Sequence, residues 1–183
     1  MKARKVKGLD PDAPLADNAE RIILVRLDEL CGFMPRAADP AEVVALHDMR
    51  IAAKRLRYIL EITGPCFGPY TNTATKLAKE LQDLLGEIHD CDVQIPEIAA
   101  FGERLVAEDA AALYAAGEID ANKAPHAREH AGISLLQAHL RARRLVLFDQ
   151  FLELWGSYER KGFRARLEYA VTERADVHNP GRG

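Results

Sequence analysis

Four basic side chains are spaced so that they would line one flank of a single helix. In the segment LHDMRIAAKRLRYIL, residues 46–60, they stand at i, i+3, i+7 and i+10: His47, Arg50, Lys54 and Arg57. At about 1.5 Å of rise per residue, this basic stripe would be roughly 15 Å long. Like charges three or four residues apart repel one another, so a linear polyanion would relieve the repulsion and accept charge-assisted hydrogen bonds. The stripe therefore predicts a polyanion-binding surface. The alternative is a helix face that is solvated or paired with carboxylates of neighbouring helices.

The same segment carries a core-facing side and signals for both helix ends. Apolar residues recur at helical spacing beside the stripe: Leu46, Met49, Ala53, Leu56 and Leu60. Asp39 is suited to the N-cap, Pro40 to the first helical position, and Glu42 would complete a capping box. Gly64 and Pro65 would end the helix after Thr63. An amphipathic helix over residues 40–63 is the prediction.

The rest of the chain also has helical rather than strand periodicity. A first helix is predicted to start at Asp10–Pro11 or near Pro14, to keep its apolar spacing through Met34, and to stop at Pro35. Further helices are expected over residues 69–116, with a kink or short break at Pro96, and over 126–158 and 161–174, with a loop at 117–125. Long helices with short connections predict an all-α antiparallel bundle of about five to six helices. Residues 11–175 would form one domain between a flexible basic tail, 1–10, and a flexible tail, 176–183.

Two arginines of the fourth helix are expected to face the bundle interior. An aromatic stripe, Phe148, Phe151, Trp155 and Tyr158, has core spacing, and its backward projection reaches Arg141 and Arg144. Buried guanidinium groups need partners. Either they pair internally with Asp92, or they line a basic groove opposite the stripe. Lys76 and Lys79 project away from the leucine-rich face of the third helix, where they would be solvated or extend a basic patch.

Composition limits the classes of protein and of site that the chain could represent. The chain has 183 residues, 48% of them hydrophobic, and a formal net charge of −3, which argues against bulk DNA binding. Its three cysteines, Cys31, Cys66 and Cys91, have no close pair, so buried free thiols are expected rather than a disulfide framework or a zinc knuckle. No apolar run is long enough to span a membrane, and the basic N-terminus lacks the apolar stretch of a signal peptide. A cytoplasmic protein without a membrane partner is the expectation.

Two segments resemble the CHAD family, the conserved histidine α-helical domain. The first is an H-x-x-R-x-x-x-K-R-x-R-Y pattern formed by His47, Arg50, Lys54, Arg55, Arg57 and Tyr58. The second is LQDLLGEIHDCDV, residues 81–93, which is similar to the family's segment of "LG, two residues, then D-x-D-V" after the basic helix. His89 stands where the family usually has arginine. Arg141, Arg144 and residues 151–155 loosely resemble the later helices.

The resemblance implies an all-helical domain that binds inorganic polyphosphate without known catalysis and without a cofactor. It assigns the family's histidine to His47 and its basic residues to Arg50, Lys54, Arg55 and Arg57; the candidate groove adds Arg141, Arg144, Lys76 and Lys79. Typical members have two facing halves, each with its own His/Arg helix. Because the pattern occurs once here, a homodimer that rebuilds the channel is a hypothesis. Association with polyphosphate granules is a further expectation.

Three rival functions stay open at this stage. The His47-Asp48 and His89-Asp90 dipeptides are also typical of metal-dependent phosphohydrolases of the HD type, although cations around His47 disfavour a metal. A nucleic acid could satisfy the stripe, but no stacking aromatics are interleaved with the cations, so specific nucleic-acid binding is not expected. A ligand-free helical scaffold is the third. The purpose of binding, the chain-length preference and the oligomeric state do not follow from the residues.

Overall fold

A computed structural model describes residues 2–175; the predicted tail over 176–183 lies outside the described residues. Within that range the protein is all-α, and its only β-type pairing is an isolated bridge between Phe67 and Arg174. The fold class predicted from the sequence is confirmed. The helices are α1 (Leu15–Cys31), α2 (Met34–Ala37), α3 (Val43–Thr63), α4 (Tyr70–Ala116), α5 (Glu129–Arg160) and α6 (Phe163–Ala170), with two 3₁₀ turns at Gly64–Cys66 and Ala121–Lys123.

The described chain divides into two compact units. Residues 2–86 and 150–175 form the first unit, and residues 87–149 form the second. The helices α4 and α5 each contribute one part to each unit. The sequence predicts one helical bundle over residues 11–175, and both units lie within these long helices and their neighbours.

The first helix ends earlier than its apolar spacing predicts. α1 stops at Cys31, where the Gly32 amide donates to the Asp28 carbonyl, and a separate short helix, α2, starts at Met34. Pro35 lies in the first turn of α2 rather than ending α1, because proline fits a position whose N–H would have no helical partner. The prediction that α1 extends through Met34 is therefore wrong.

The start predicted for α3 is three residues early, while its end is confirmed at Thr63. The Asp39 carboxylate accepts a hydrogen bond from the Ala41 amide at 2.8 Å and so closes a local turn instead of capping the helix. The Glu42 carboxylate accepts from Arg36 at 2.5 Å, which takes it away from a capping box. Both acids are engaged by groups that helical spacing alone does not reveal.

The core of the first unit lies between α1, α3 and the aromatic part of α5. All five predicted core residues of α3, namely Leu46, Met49, Ala53, Leu56 and Leu60, are buried. Phe151, Trp155 and Tyr158 are buried as predicted, and the Tyr158 hydroxyl donates to the Leu77 carbonyl at 2.9 Å. A hydroxyl buried at this depth needs such a partner, so its bond fixes α5 against the start of α4 within the first unit.

The two long helices run close to their predicted limits. α4 is 47 residues long and continues through Pro96, so of the predicted kink or short break the break is absent. α5 and α6 start at Glu129 and Phe163, each a few residues later than predicted. In the second unit, the buried apolar side chains include Leu105, Leu140, Leu147 and Phe148. No helix within residues 2–175 combines the length and apolar character that a bilayer span needs.

The N-terminal segment is not helical but is anchored. The Arg4 amide donates to the Glu29 carboxylate at 3.1 Å, and the Arg4 guanidinium pairs with Asp28 at 2.6 Å. These contacts hold the segment of residues 2–10 against α1. Of the three cysteines only Cys91 is fully buried; Cys31 and Cys66 are partly exposed.

Candidate anion-binding site

The basic stripe lies on one flank of α3, as the sequence predicts. His47, Arg50 and Arg57 are half-buried and Lys54 is exposed, while the neighbouring core face of the helix is closed to solvent. Since α3 is a regular helix over the whole stretch, the four side chains follow one another along its axis over roughly 15 Å. Arg50 and Lys54 form no ion pair with a carboxylate of residues 2–175. Their two charges are left for solvent or for a ligand.

Arg50 lies against the backbone of α4 at a glycine. A methyl group at Gly86 would lie 3.6 Å from the Arg50 Nε, an ordinary van der Waals distance, whereas a longer side chain would meet the guanidinium directly. Gly86 thus provides the room that Arg50 occupies on the surface of the first unit. It is the glycine of the "LG" pair in the second sequence segment, and its spacing alone did not connect it with Arg50.

Tyr58 positions the other two cations of the stripe. Its half-exposed ring lies 5.7 Å from the Lys54 Nζ and 4.6 Å from the Arg57 guanidinium carbon. A cation over an aromatic face is attracted by the ring quadrupole, at a surface worth about 0.5–1 kcal/mol. The ring therefore holds two positive charges near one another, although they would repel in its absence.

Arg57 is a largely enclosed cation of the stripe. Only 15% of its side chain is exposed, and its Nε lies 3.4 Å from the Glu61 carboxylate without hydrogen-bond geometry. We attribute to this contact a weak ion-pair character, because the Nε–H does not point at the oxygen. The Nε of Arg57 keeps unused donor capacity within the described part of the chain.

Arg55 is held differently from the four stripe residues. Its guanidinium lies 3.4 Å from the Glu29 carboxylate, which is buried and also accepts from Arg26 at 2.5 Å and from the Arg4 amide. A carboxylate removed from water needs such compensation. Arg55 thus contributes to an internal network between the N-terminal segment, α1 and α3.

The two lysines of α4 are exposed, as predicted. Lys79 pairs with Asp83 one turn further along the helix, and Lys76 points to solvent. An exposed i, i+4 pair is worth only a few tenths of a kcal/mol. A polyanion could therefore displace the Asp83 partner at little cost.

In the second unit, the two arginines predicted to face inward differ from each other. The Arg144 Nε donates to the Asp92 carboxylate at 2.7 Å, with the two side chains only 12% and 10% exposed, so this is an internal ion pair. Arg141 is exposed, and the inward orientation expected for it is wrong. Its side chain borders an open cavity of about 430 Å³ lined also by Gln137, Ser134, His130 and Glu103.

The histidine–aspartate dipeptides lie on two helices. His47 and Asp48 belong to α3, and His89 and Asp90 belong to α4. Among residues 2–175, no three His, Cys, Asp or Glu side chains come together in an arrangement that could hold a metal ion.

The second unit also contains an acid that the sequence did not single out. Asp109 is buried, accepts from the His126 amide at 2.9 Å, and lies 2.8 Å from His130 Nε2. Burial alone would raise the pKa of this carboxyl, but the hydrogen bonds from His130 and from the His126 amide outweigh it and lower the pKa. The cluster fastens the end of the loop and the start of α5 to α4.

A family model for the CHAD domain matches residues 2–99. The chain belongs to the CHAD domain family. The match covers more than half of the 183 residues and includes the complete basic stripe of α3. No curated protein and no solved structure matches the chain significantly.

The CHAD match separates the candidate residues into two groups. The stripe, Arg55, Lys76 and Lys79 fall inside it, whereas Arg141 and Arg144 follow it in the chain. The match ends at Ala99, within α4, so α5 and α6 lie beyond it. Family membership therefore supports the candidate binding residues of α3 more directly than the candidate binding residues of α5.

Proposed function

We propose that this CHAD protein binds inorganic polyphosphate along the basic stripe of α3, without catalysing a reaction. The observation that carries the proposal is how the cations are distributed between pairs and open surface. Arg55 and Arg144 are engaged by the buried carboxylates of Glu29 and Asp92, while Arg50 and Lys54 have no carboxylate partner within residues 2–175. Arg50 and Lys54 are two of the residues to which the family resemblance assigns polyphosphate binding.

The stripe suits a linear chain of phosphates better than a single small anion. Four cationic positions follow one another over roughly 15 Å, so several phosphate groups could each meet one side chain. Guanidinium groups donate in a planar fork to phosphate oxygens, which suits Arg50 and Arg57 to successive phosphates of a chain. His47 would add a charge at the start of the stripe when protonated.

We assign Arg55 and Arg144 supporting roles and keep Arg141, Lys76 and Lys79 as secondary contacts. Drawing Arg55 to a phosphate would leave the buried Glu29 with one partner fewer, and drawing Arg144 away would leave Asp92 unpaired. Removing one partner of such a pair costs several kcal/mol. The exposed Arg141, Lys76 and Lys79 carry no comparable cost.

Calorimetric titration with long-chain polyphosphate at two salt concentrations tests the proposal. We expect binding that weakens steeply as salt rises, since each neutralised phosphate releases counterions. Arg50→Glu/Lys54→Glu should weaken it on the order of tenfold or more. The matched control is Lys5→Glu/Lys161→Glu, which changes the net charge equally at two exposed lysines of the first unit that do not belong to α3.

The control and a competition decide the outcome. Equal losses in the two double variants would mean that only net charge matters and would contradict a site on the stripe. The absence of heat with folded wild-type protein at low salt would reject polyphosphate as the ligand. Displacement by an equal phosphate concentration of single-stranded RNA would favour a general polyanion surface instead.

A further inference from the structure

The outward face of α5 in the second unit is apolar although it is exposed to solvent. Leu135 and Leu145 are 72% and 59% exposed, and Ala138 and Ala142 between them are exposed as well. The opposite face of the same helix already contributes Leu140, Leu147 and Phe148 to the buried side of the unit. Large leucine side chains in water at regular intervals indicate a surface that is covered by something else.

The spacing of these residues is symmetric, and this symmetry indicates which partner would cover the exposed face. They follow one another as Leu-x₂-Ala-x₃-Ala-x₂-Leu, the three–four repeat of a helix–helix seam, and the pattern reads the same in both directions about residue 140. A second copy of α5 laid antiparallel across it would place Leu135 against the partner's Leu145. The small Ala138 would meet the partner's Ala142, which lets the two helices approach closely in the middle. We propose that two copies of this chain associate through this α5 seam, formed by Leu135, Ala138, Ala142 and Leu145.

Charges at the two ends of the seam favour the antiparallel arrangement. Arg128 precedes the first turn of α5 and Asp149 lies one turn beyond Leu145, and both are exposed. In an antiparallel pair, Asp149 comes within one helical turn of the partner's Arg128. In a parallel pair, each of these charged residues would lie beside the same residue of the partner and be repelled by it. The two Arg141 side chains approach on one flank of the two-fold axis, and solvent and salt screen that repulsion at an exposed position.

The area available fits a specific but modest interface. Leu135, Leu145 and the adjoining Val146 are each more than half exposed, and the seam reaches the ~800 Å² per partner of a standard interface only together with its polar rim. A closed two-fold contact uses the same patch twice, so one face suffices. The inference rests on exposure and spacing in α5 and is independent of the proposed ligand.

Sedimentation equilibrium of the full chain at micromolar concentration tests the seam. We expect twice the 20.3 kDa of one chain for the wild type and a single chain for Leu135→Glu/Leu145→Glu. The matched control is Val44→Glu/Ile62→Glu, which charges two equally exposed apolar residues of α3, at 67% and 72%, and should stay dimeric. A monomeric wild type, or a dimer that survives in the seam variant, would overturn the proposal.

Cross-linking supplies a readout that does not depend on a destabilised variant. With a short bismaleimide, Leu135→Cys/Leu145→Cys should form covalent dimers above the wild-type background of the three native cysteines. The two positions lie roughly 15 Å apart on one helix, too far for the reagent to bridge within a chain. Each single variant should remain at background, because the antiparallel register places each leucine against the other position. Efficient cross-linking of Leu135→Cys alone would indicate a parallel pair and contradict the register.

Discussion

The two units of this CHAD protein differ in what their surface helices expose to solvent. In the first unit, α1, α3 and the later part of α5 bury leucines and aromatics together, while Arg50 and Lys54 lie on α3 without a carboxylate partner among residues 2–175. In the second unit, cations and acids are drawn inward as the Arg144–Asp92 pair and the Asp109–His130 cluster, while leucines of α5 lie outside. We therefore propose a ligand surface on the first unit and a protein-binding surface on the second.

This difference explains why a buried charge is weak evidence for a binding site. Arg144 has the burial and position of a groove residue, yet its partner Asp92 neutralises it. Arg50 is also half-buried but has no carboxylate partner within the described residues. A cation that has no carboxylate partner is therefore a better candidate for a ligand contact than a cation that is merely buried.

The largest expected effect comes from truncating the apolar core of the first unit. Leu56 is fully buried on α3, so Leu56→Ala should lower the free energy of unfolding by about 3–5 kcal/mol through lost burial and a cavity. The exposed Val44 of the same helix should tolerate alanine within about 0.5 kcal/mol. Urea denaturation of both variants measures the contrast, and similar losses would mean that α3 does not face the core as described.

Breaking the ion pair of the second unit should have the next largest effect. Arg144→Met leaves the mostly buried Asp92 carboxylate without its partner, and we expect a loss of about 2–3 kcal/mol. Replacing both partners, as Arg144→Met/Asp92→Leu, should recover most of this loss, because no charge is then left unpaired. Urea denaturation of the three proteins gives the comparison. If the double variant is as unstable as the single one, the lost stability does not come from leaving the Asp92 charge unpaired.

A smaller effect is expected from the Asp109 cluster, and it depends on pH. Because the pKa of Asp109 is lowered below its ordinary value of 3.8, its ionised form stabilises the folded protein above that pH. The stabilisation is lost as the pH falls through the folded-state pKa. Asp109→Asn should therefore melt at a lower temperature than the wild type at pH 7, and the difference should shrink below pH 4. A difference that stays constant down to pH 3 would assign the effect to packing instead.

The smallest effect is expected at Tyr58. Replacing its ring by Tyr58→Leu removes the attraction for Lys54 and Arg57, worth about 0.5–1 kcal/mol, so polyphosphate should bind about two- to fivefold more weakly. Tyr58→Phe keeps the ring face and is the matched control. Calorimetry distinguishes them, and equal weakening in both would point to the hydroxyl rather than the ring.

Local sequence signals predicted most of the fold. The apolar spacing of α3 gave its core face and Gly64 its end, and α4 was predicted to within a residue because it is long and periodic. The start of α3 was missed because Asp39 and Glu42 are drawn to Ala41 and Arg36. Such competition between partners for one side chain is a matter of geometry, which spacing does not encode.

The position of the candidate site could be predicted from the sequence, but the ion pairs that engage some of its cations could not. The stripe follows from helical spacing, whereas the engagement of Arg55 by Glu29 joins residues 26 positions apart on different helices. The wrong orientation of Arg141 has a geometric cause. Phe148 lies at the edge of the buried face, and one heptad back the face has drifted by about 20°, which carries Arg141 to the open side.

We propose that the stripe of α3 makes the primary contacts to polyphosphate, and arginine side-chain NMR tests this most directly. The Nε–H signals of Arg50 and Arg57 should shift on saturation with polyphosphate, while that of Arg144 should stay in place because Asp92 holds it. Arg50→Lys identifies one signal and leaves the charge unchanged. Shifts at Arg144 with Arg50 and Arg57 unmoved would contradict the account and place the ligand in the second unit.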